Sequence, residues 1–214
     1  MNEDNQITSN DSKVSNLKSI FFNSKKLIIS IITFILLLIF SYFFYIDYKK
    51  DMKAKISDKY NLAIINYSTQ KSKSSVSELK NIINLKDPTY SPLALYFLLD
   101  NNLIERKEEI NKYFDVLINK TKLEKEILNL IIFKKGLYNS YNTSEDELLQ
   151  IFYPLINSDN LWKSHSLYII AEYYFSNSEM KKSKEFFEKI VKLKDSNPQI
   201  KLEAQKRLQR DFSE

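Results

Sequence analysis

The stretch SHSLYIIAEYYFSNSEMKKSKEFFEKIVKLKDSNP, residues 164 to 198, decides the fold that we predict for this chain. Its apolar residues recur every three or four positions, which is the spacing of one face of an α-helix. Polar residues around Ser178 interrupt the pattern once, and Pro198 begins the next helix, where proline is well tolerated. The stretch therefore predicts two helices joined by a short turn, which makes them antiparallel.

This hairpin matches a tetratricopeptide repeat, a unit of two helices and about 34 residues that ends here at Asn197. Small residues stand where the two helices must approach closely, and large residues stand beside that contact. Ser178 lies in the turn, where the repeat commonly has glycine. The residues predicted to pack the hairpin are Leu167, Ile170, Ala171, Tyr174, Ser183, Phe187 and Ile190.

One face of the first repeat helix carries the candidate partner-binding groove. His165, Tyr168, Glu172 and Phe175 align on this face, since they are three or four residues apart. In helical-repeat solenoids the first helix of each pair lines a concave face that binds peptides or partner helices. An equally good interpretation is that Tyr168 and Phe175 only pack on the neighbouring hairpin. We expect no carboxylate clamp, because such repeats use lysine and asparagine where Tyr168 and Glu172 stand here.

Further helices are predicted on both sides of this hairpin, giving an all-α array with nine helices after residue 47. Breaks near Asp87, Asn119, Asn157 and Asn197 are about 32, 38 and 40 residues apart, which indicates helical repeats. Ser91 is predicted to cap the third helix, and the sixth begins with the capping-box spacing of Ser144 and Glu147. The predicted ranges are about 48–69, 74–86, 91–101, 105–119, 121–140, 144–156, 161–176, 179–194 and 198–211.

Near the other end of the chain lies KKLIISIITFILLLIFSYFFYIDYKK, residues 25 to 50. Its 20 residues from Leu27 to Ile46 carry no formal charge and would span roughly 30 Å as a helix, the thickness of a bilayer's hydrocarbon core. The apolar run is too long for a signal peptide and is not followed by a cleavage site. We predict a disordered tail over residues 1–24, a transmembrane helix over 25–47 and a tetratricopeptide-like α-solenoid over 48–214, whose first helix runs straight on from the span.

The charges beside the span do not set its orientation. Four lysines precede the span and five follow it within the next 20 residues, so the positive-inside rule gives no clear side.

The composition argues against an enzyme. The chain has no cysteine, which excludes disulfides, zinc–thiolate clusters and thiol catalysis. Its single glycine, Gly136, excludes a P-loop and a dinucleotide-binding fingerprint, and its single histidine cannot build a two-histidine metal site. The net charge of +5 is dispersed, without the basic and aromatic clusters typical of nucleic-acid binding. We predict no catalytic residue, metal, cofactor, small-molecule substrate or nucleic acid.

Three segments carry a resemblance to a known family: the anchor through Lys50, the segment YSPLALYFLLDNNL from Tyr90, and the segment from Asn157 to Val191. Before the last hairpin the family reads roughly D-N-P-W-R. The chain has Asp159, Asn160, Trp162 and Lys163 at that place. The arrangement resembles the ancillary SecYEG translocon subunit family, although the chain is rich in lysine, asparagine and isoleucine where relatives are rich in alanine.

The resemblance implies a single-pass protein of the bacterial inner membrane with a cytoplasmic N-terminal tail and a periplasmic repeat domain. It also implies an accessory role beside the Sec channel, in which exported chains pass to periplasmic chaperones. The implied partners are the lipid bilayer, the SecYEG channel and those chaperones. Two other interpretations stay open: an anchored repeat scaffold of another envelope assembly, such as cell division or outer-membrane biogenesis, and an adaptor that faces the cytoplasm.

Overall fold

The computed structural model describes residues 25–213, and all the regular structure in this part of the chain is α-helical, without a strand. The predicted all-α class is therefore confirmed. The predicted disordered tail over residues 1–24 lies outside the described residues. The helices are α1 (Lys25–Gln70), α2 (Lys73–Asn84), α3 (Tyr90–Asp100), α4 (Lys107–Lys120), α5 (Lys125–Asn139), α6 (Glu145–Ile156), α7 (Lys163–Ser176), α8 (Met180–Lys192) and α9 (Pro198–Phe212).

The first helix contains the apolar stretch and continues past it without a break, as the sequence predicts. Its part from Ile28 to Gln70 is long and apolar enough to cross a membrane, and none of its most apolar window is buried. Phe40 and Phe44, for example, are 77% and 78% exposed. Residues 25–213 thus contain one helix with the length and composition of a membrane span.

Two compact units meet inside α1, between Lys55 and Ile56. From Ile28 onward, Ile56 is the first buried apolar residue of α1, and Ala63 follows it two turns later on the same face. The transmembrane helix that the sequence predicts, over residues 25–47, lies within the first unit. The second unit therefore begins where α1 gains a face that packs against other helices.

In the second unit each helix from α2 to α8 packs on the next one in the chain. Some helices also pack on the next but one: α2 on α4, α5 on α7, and α7 on α9. In a regular array of helical hairpins, the helices that pack on the next but one would be either all even-numbered or all odd-numbered. Here the alternation moves from even-numbered to odd-numbered helices, so the array changes register between α4 and α5.

The buried side chains form three clusters. The largest joins α1 to α5 and consists mainly of isoleucine and leucine, with Leu79, Ile82 and Leu98 completely buried. Two smaller clusters join α5 to α9 around the buried rings of Phe152 and Phe187. The two ends of the array thus use different side chains for their cores.

Two helix starts follow the sequence signals. The side chain of Ser144 accepts a hydrogen bond from the backbone N–H of Glu147 (3.3 Å), as the capping-box spacing predicts. Asn197 caps α9, accepting from the N–H groups of Gln199 and Ile200, and Pro198 takes the first helical position. These caps fix where α6 and α9 begin.

The prediction that Ser91 caps the third helix is wrong. Asp87 accepts hydrogen bonds from the N–H groups of Thr89 and Tyr90, both at 2.8 Å, so α3 begins one residue before Ser91. The hydroxyl of Ser91 is completely buried and donates to the carbonyl oxygen of Ile82 on α2 (2.8 Å). The serine thus links two helices, because the aspartate already satisfies the free N–H groups.

Candidate functional site

The hairpin of α7 and α8 forms the centre of the candidate site. All seven residues predicted to pack it are buried. Between the two helices, the buried hydroxyl of Ser183 on α8 donates to the carbonyl oxygen of Ala171 on α7 (2.9 Å). The completely buried ring of Phe187 lies in the same cluster as Ala171, while the ring of Tyr174, which is 2% exposed, packs on Phe186 of α8 in the neighbouring cluster. The small residues allow the approach, and the buried aromatic rings occupy the adjoining space.

A second close contact involves Gly136, the chain's single glycine, in the last turn of α5. A Cβ atom at this position would lie 2.3 Å from the ring of Phe152 on α6, which is completely buried. The missing side chain therefore lets α5 and α6 meet. A lone glycine inside a helical pattern is the signal that could have indicated this contact in the sequence.

The four residues predicted to form one groove lie in different surroundings. His165 lines a cavity of about 800 Å³ at the start of α7, while Tyr168 and Glu172 line another of about 940 Å³. Phe175 instead packs below the guanidinium of Arg207 on α9. The first cavity, here the tryptophan groove, is lined by Glu126, Asp159, Asn160, Leu161, Trp162, Lys163, His165, Leu193, Asp195, Ser196, Asn197 and Pro198. The second, here the tyrosine groove, is lined by Ser140, Tyr141, Asn142, Thr143, Ser144, Glu147, Tyr168, Ile169, Glu172, Tyr173, Ser176 and Asn177.

Glu172, a lining residue of the tyrosine groove, is already engaged by α9. Arg207 is 9% exposed and donates to both carboxylate oxygens of Glu172, at 2.7 and 2.9 Å. Its guanidinium also lies 4.1 Å from the ring centre of Phe175. The ring of Tyr168 packs on Phe187, and burial together with the nearby Glu172 carboxylate raises the pKa of Tyr168 to about 12. The C-terminal helix thus neutralises the one predicted groove residue that carries a formal charge.

Aromatic rings form one wall of the tryptophan groove. Trp162 stacks on Phe133 with ring centres 5.0 Å apart and planes at 25°. The ring of His165 lies 5.9 Å from Phe133 and 5.4 Å from Trp162. Burial lowers the pKa of His165, and Nδ1 has no hydrogen-bond partner in the described part of the chain. The histidine therefore favours its neutral form in this wall.

Three carboxylates also line the tryptophan groove, each on a different element. Glu126 lies in the first turn of α5, Asp159 in the loop before α7, and Asp195 in the loop before α9. All three are exposed, and none makes an ion pair or hydrogen bond within residues 25–213. Lys163 is the lysine that lines the same groove. No group of three or more histidine, aspartate or glutamate side chains in the described residues could hold a metal ion.

Local sequence patterns could not identify these arrangements. Arg207 binds a carboxylate 35 residues earlier in the chain, and the carboxylates of the tryptophan groove come from three separate segments. Among the sequence patterns, only the family resemblance draws attention to Asp159 and Trp162. Comparison of the chain with protein-family models, curated proteins and solved structures gives no match.

Proposed function

We propose that this protein is a membrane-anchored protein–protein interaction module with a tetratricopeptide-like helical domain. The observation that carries the proposal is the combination of an unburied apolar helix with an array of packed helical hairpins in one chain. Apolar residues of α1 that stay exposed at about half or more of their surface are stabilised by lipid rather than by water. Helical arrays in turn present extended surfaces that suit the binding of other proteins.

Within this class, an accessory subunit of the Sec translocon in the bacterial inner membrane is the role that we propose. The proposal rests on the resemblance of the anchor, of the segment from Tyr90 and of the entry to the last hairpin. In this role the helical domain lies in the periplasm and passes exported chains to chaperones. The close contact of Ala171 with Ser183 supports the tetratricopeptide-like part of the proposal, because it supplies the small residues that the repeat requires.

Membrane topology is the first test. A reporter enzyme that is active only in the periplasm is fused after Glu214 and expressed in a bacterial host, and protease access is measured in spheroplasts. The proposal expects an active reporter and a domain that added protease digests. A protected domain with an inactive reporter would overturn the translocon role and leave an adaptor that faces the cytoplasm.

Cross-linking is the second test, and it separates the translocon from other envelope assemblies. A photo-reactive amino acid is placed at Phe40 or Phe44, which are exposed in the apolar part of α1. The matched control places it at exposed Tyr153 on α6. The proposal expects light-dependent products with the Sec channel from the positions in the span. Equal labelling from a chain whose span is replaced by an unrelated polyleucine span would argue against recognition through α1.

A further inference from the structure

The tryptophan groove has an excess of negative charge that the protein itself does not neutralise. Its lining has three carboxylates, Glu126, Asp159 and Asp195, against one ammonium group, that of Lys163. In the tyrosine groove, by contrast, Arg207 neutralises Glu172 and a hydroxyl group donates to Glu147. The excess is also opposite in sign to the net charge of the chain, which is +5. A ligand of this groove must therefore be cationic to gain from its electrostatics.

The apolar part of the groove suits a particular kind of cation. Tryptophan is the residue type that binds cations best through its ring face; one face of Trp162 stacks on Phe133, and the ring of His165, whose pKa is lowered by burial, lies beside it. Leu161, next to the tryptophan, is 73% exposed, although its side chain is large and apolar. Guanidinium groups and the aliphatic stems of lysine and arginine gain from such mixed surroundings, since they stack on rings and cover apolar surface.

We infer that the tryptophan groove binds an arginine or lysine side chain of an extended partner segment. The segment's cationic head lies among Glu126, Asp159 and Asp195, and its stem lies along Leu161 and Trp162. This inference rests on the proposed role as a protein-binding module, and it adds the chemistry of the partner. It also differs from the groove predicted from the sequence, of which only His165 belongs to this surface.

Trp162 supplies a direct measurement, because it is the only tryptophan of the chain. The full chain in neutral detergent micelles is titrated with a capped peptide of alternating arginine and alanine, and tryptophan fluorescence is recorded. We expect a saturable change that weakens as salt is added, because exposed charges are screened. A capped peptide of alternating glutamate and alanine is the control and should cause no saturable change.

Charge-neutral variants locate the binding. The variant Glu126→Gln, Asp159→Asn, Asp195→Asn should bind the arginine peptide at least about tenfold more weakly, since three exposed charge interactions are lost. The matched control Asp100→Asn, Glu108→Gln, Glu185→Gln makes the same change in net charge at exposed carboxylates outside the groove. The control should change the affinity by less than about twofold. Lys163→Gln should strengthen binding, because it removes the groove's own cation.

Each possible result decides the inference. No fluorescence change with the arginine peptide, an equal change with the glutamate peptide, or equal weakening in both triple variants would overturn it. If the groove variant does not fold, as circular dichroism would show, the Lys163→Gln variant and the glutamate peptide still decide. A wild-type chain that cross-links to the Sec channel but ignores the arginine peptide would contradict this inference alone. A chain that binds the peptide but has a protected domain in spheroplasts would contradict only the translocon role.

Discussion

The helices α2 to α4 and the helices α5 to α9, here the N-terminal and C-terminal regions, build their cores in different ways. The N-terminal region packs branched aliphatic side chains such as Ile82, Ile83 and Leu98 in one large cluster. The C-terminal region sets small residues against aromatic rings, as Gly136 does with Phe152. Aliphatic side chains interdigitate in many arrangements, whereas a small residue facing a ring requires fixed positions. The repeat motif is therefore visible in the sequence only where the core has this second design.

The two regions also differ in the polar contacts between their helices. In the C-terminal region the hydroxyl of Tyr174 donates to Glu145 (2.7 Å), and Lys182 donates to both oxygens of that carboxylate, at 2.9 and 2.8 Å. These contacts join the starts of α6 and α8 to the end of α7. In the N-terminal region the corresponding long-range contact is the ion pair of Lys80 with Glu109 (2.8 Å), which joins α2 to α4. The C-terminal contacts thus join three successive helices at one carboxylate, whereas the N-terminal ion pair joins two helices.

The largest expected effect tests whether the two cores are energetically separate. Phe187→Ala should lower the free energy of unfolding by about 3–5 kcal/mol, and Leu98→Ala by about 2–5 kcal/mol, because both side chains are completely buried. Hydrogen exchange measured by mass spectrometry should show faster exchange mainly in α7 to α9 for Phe187→Ala and in α2 to α4 for Leu98→Ala. Equal acceleration of both regions by either variant would show that they form one cooperative unit.

The second-largest effect on the free energy of unfolding is expected where α5 and α6 approach closely. Alanine favours a helix over glycine by about 1 kcal/mol, but a Cβ at Gly136 would overlap the buried ring of Phe152. We expect Gly136→Ala to lower the free energy of unfolding by about 1–3 kcal/mol, measured by denaturant titration. Adding Phe152→Leu should recover part of this loss, which a double-mutant cycle would detect. A stabilised Gly136→Ala variant would contradict the proposed contact.

The ion pair between Arg207 on α9 and Glu172 on α7 is expected to contribute somewhat less to stability than the contact at Gly136. Arg207→Ala should cost about 1–2 kcal/mol, because it removes ring contacts and leaves Glu172 without its partner, while the partial exposure of Glu172 limits the penalty. Arg210→Ala is the matched control on the same helix, since its side chain is 67% exposed. Thermal unfolding of the two variants compares them. Equal shifts would mean that α9 is not fixed through Arg207.

A smaller, stabilising effect is expected in the turn of the last hairpin. Ser178 has a φ of 63°, a left-handed conformation that glycine adopts without strain. Ser178→Gly should therefore raise the free energy of unfolding by about 0.5–1 kcal/mol. Lys184→Gly, at an exposed position inside α8, should instead lower it by a similar amount. Destabilisation by Ser178→Gly would show that the serine side chain contributes more than the backbone costs.

The pH dependence of the C-terminal region gives the last test. Because burial lowers the pKa of His165, the unfolded chain binds a proton more readily than the folded chain. The stability from the neutral histidine is complete above about pH 6.5 and is lost as the pH falls below that value. His165→Phe, which keeps an aromatic ring, should flatten the decrease in denaturant midpoint between about pH 7.5 and about pH 5.5. An equal decrease in both proteins would assign the effect to other groups.

Much of the fold was predictable because it depends on local patterns. The unbroken α1, the cap at Ser144 and the helix start at Pro198 all follow from residues within a few positions of one another. The register change between α4 and α5 was not predictable, since it depends on which helices lie beside each other. The start of α5 is a local example. A helix from residue 121 was predicted, but buried Thr121 donates to the carbonyl of Val116 and the helix begins at Lys125.

The site was predictable only where a motif describes it. The spacing of His165 and Glu172 correctly placed them on α7. It could not show that Phe133 contacts His165 or that Arg207 binds Glu172. A face of a helix is defined by neighbours that come from other parts of the chain. The charged lining of the tryptophan groove was therefore accessible only from the structure.

The register change also bears on how such a chain can lengthen. Duplication of the segment that encodes α7 and α8 would add one hairpin and continue the pairing of α5, α7 and α9, because the pattern repeats every two helices. Duplication of α2 and α3 would instead add a unit to a series that stops at α4. Homologous chains of other lengths are therefore expected to differ by whole hairpins after residue 124, while the segment before it keeps a constant number of helices.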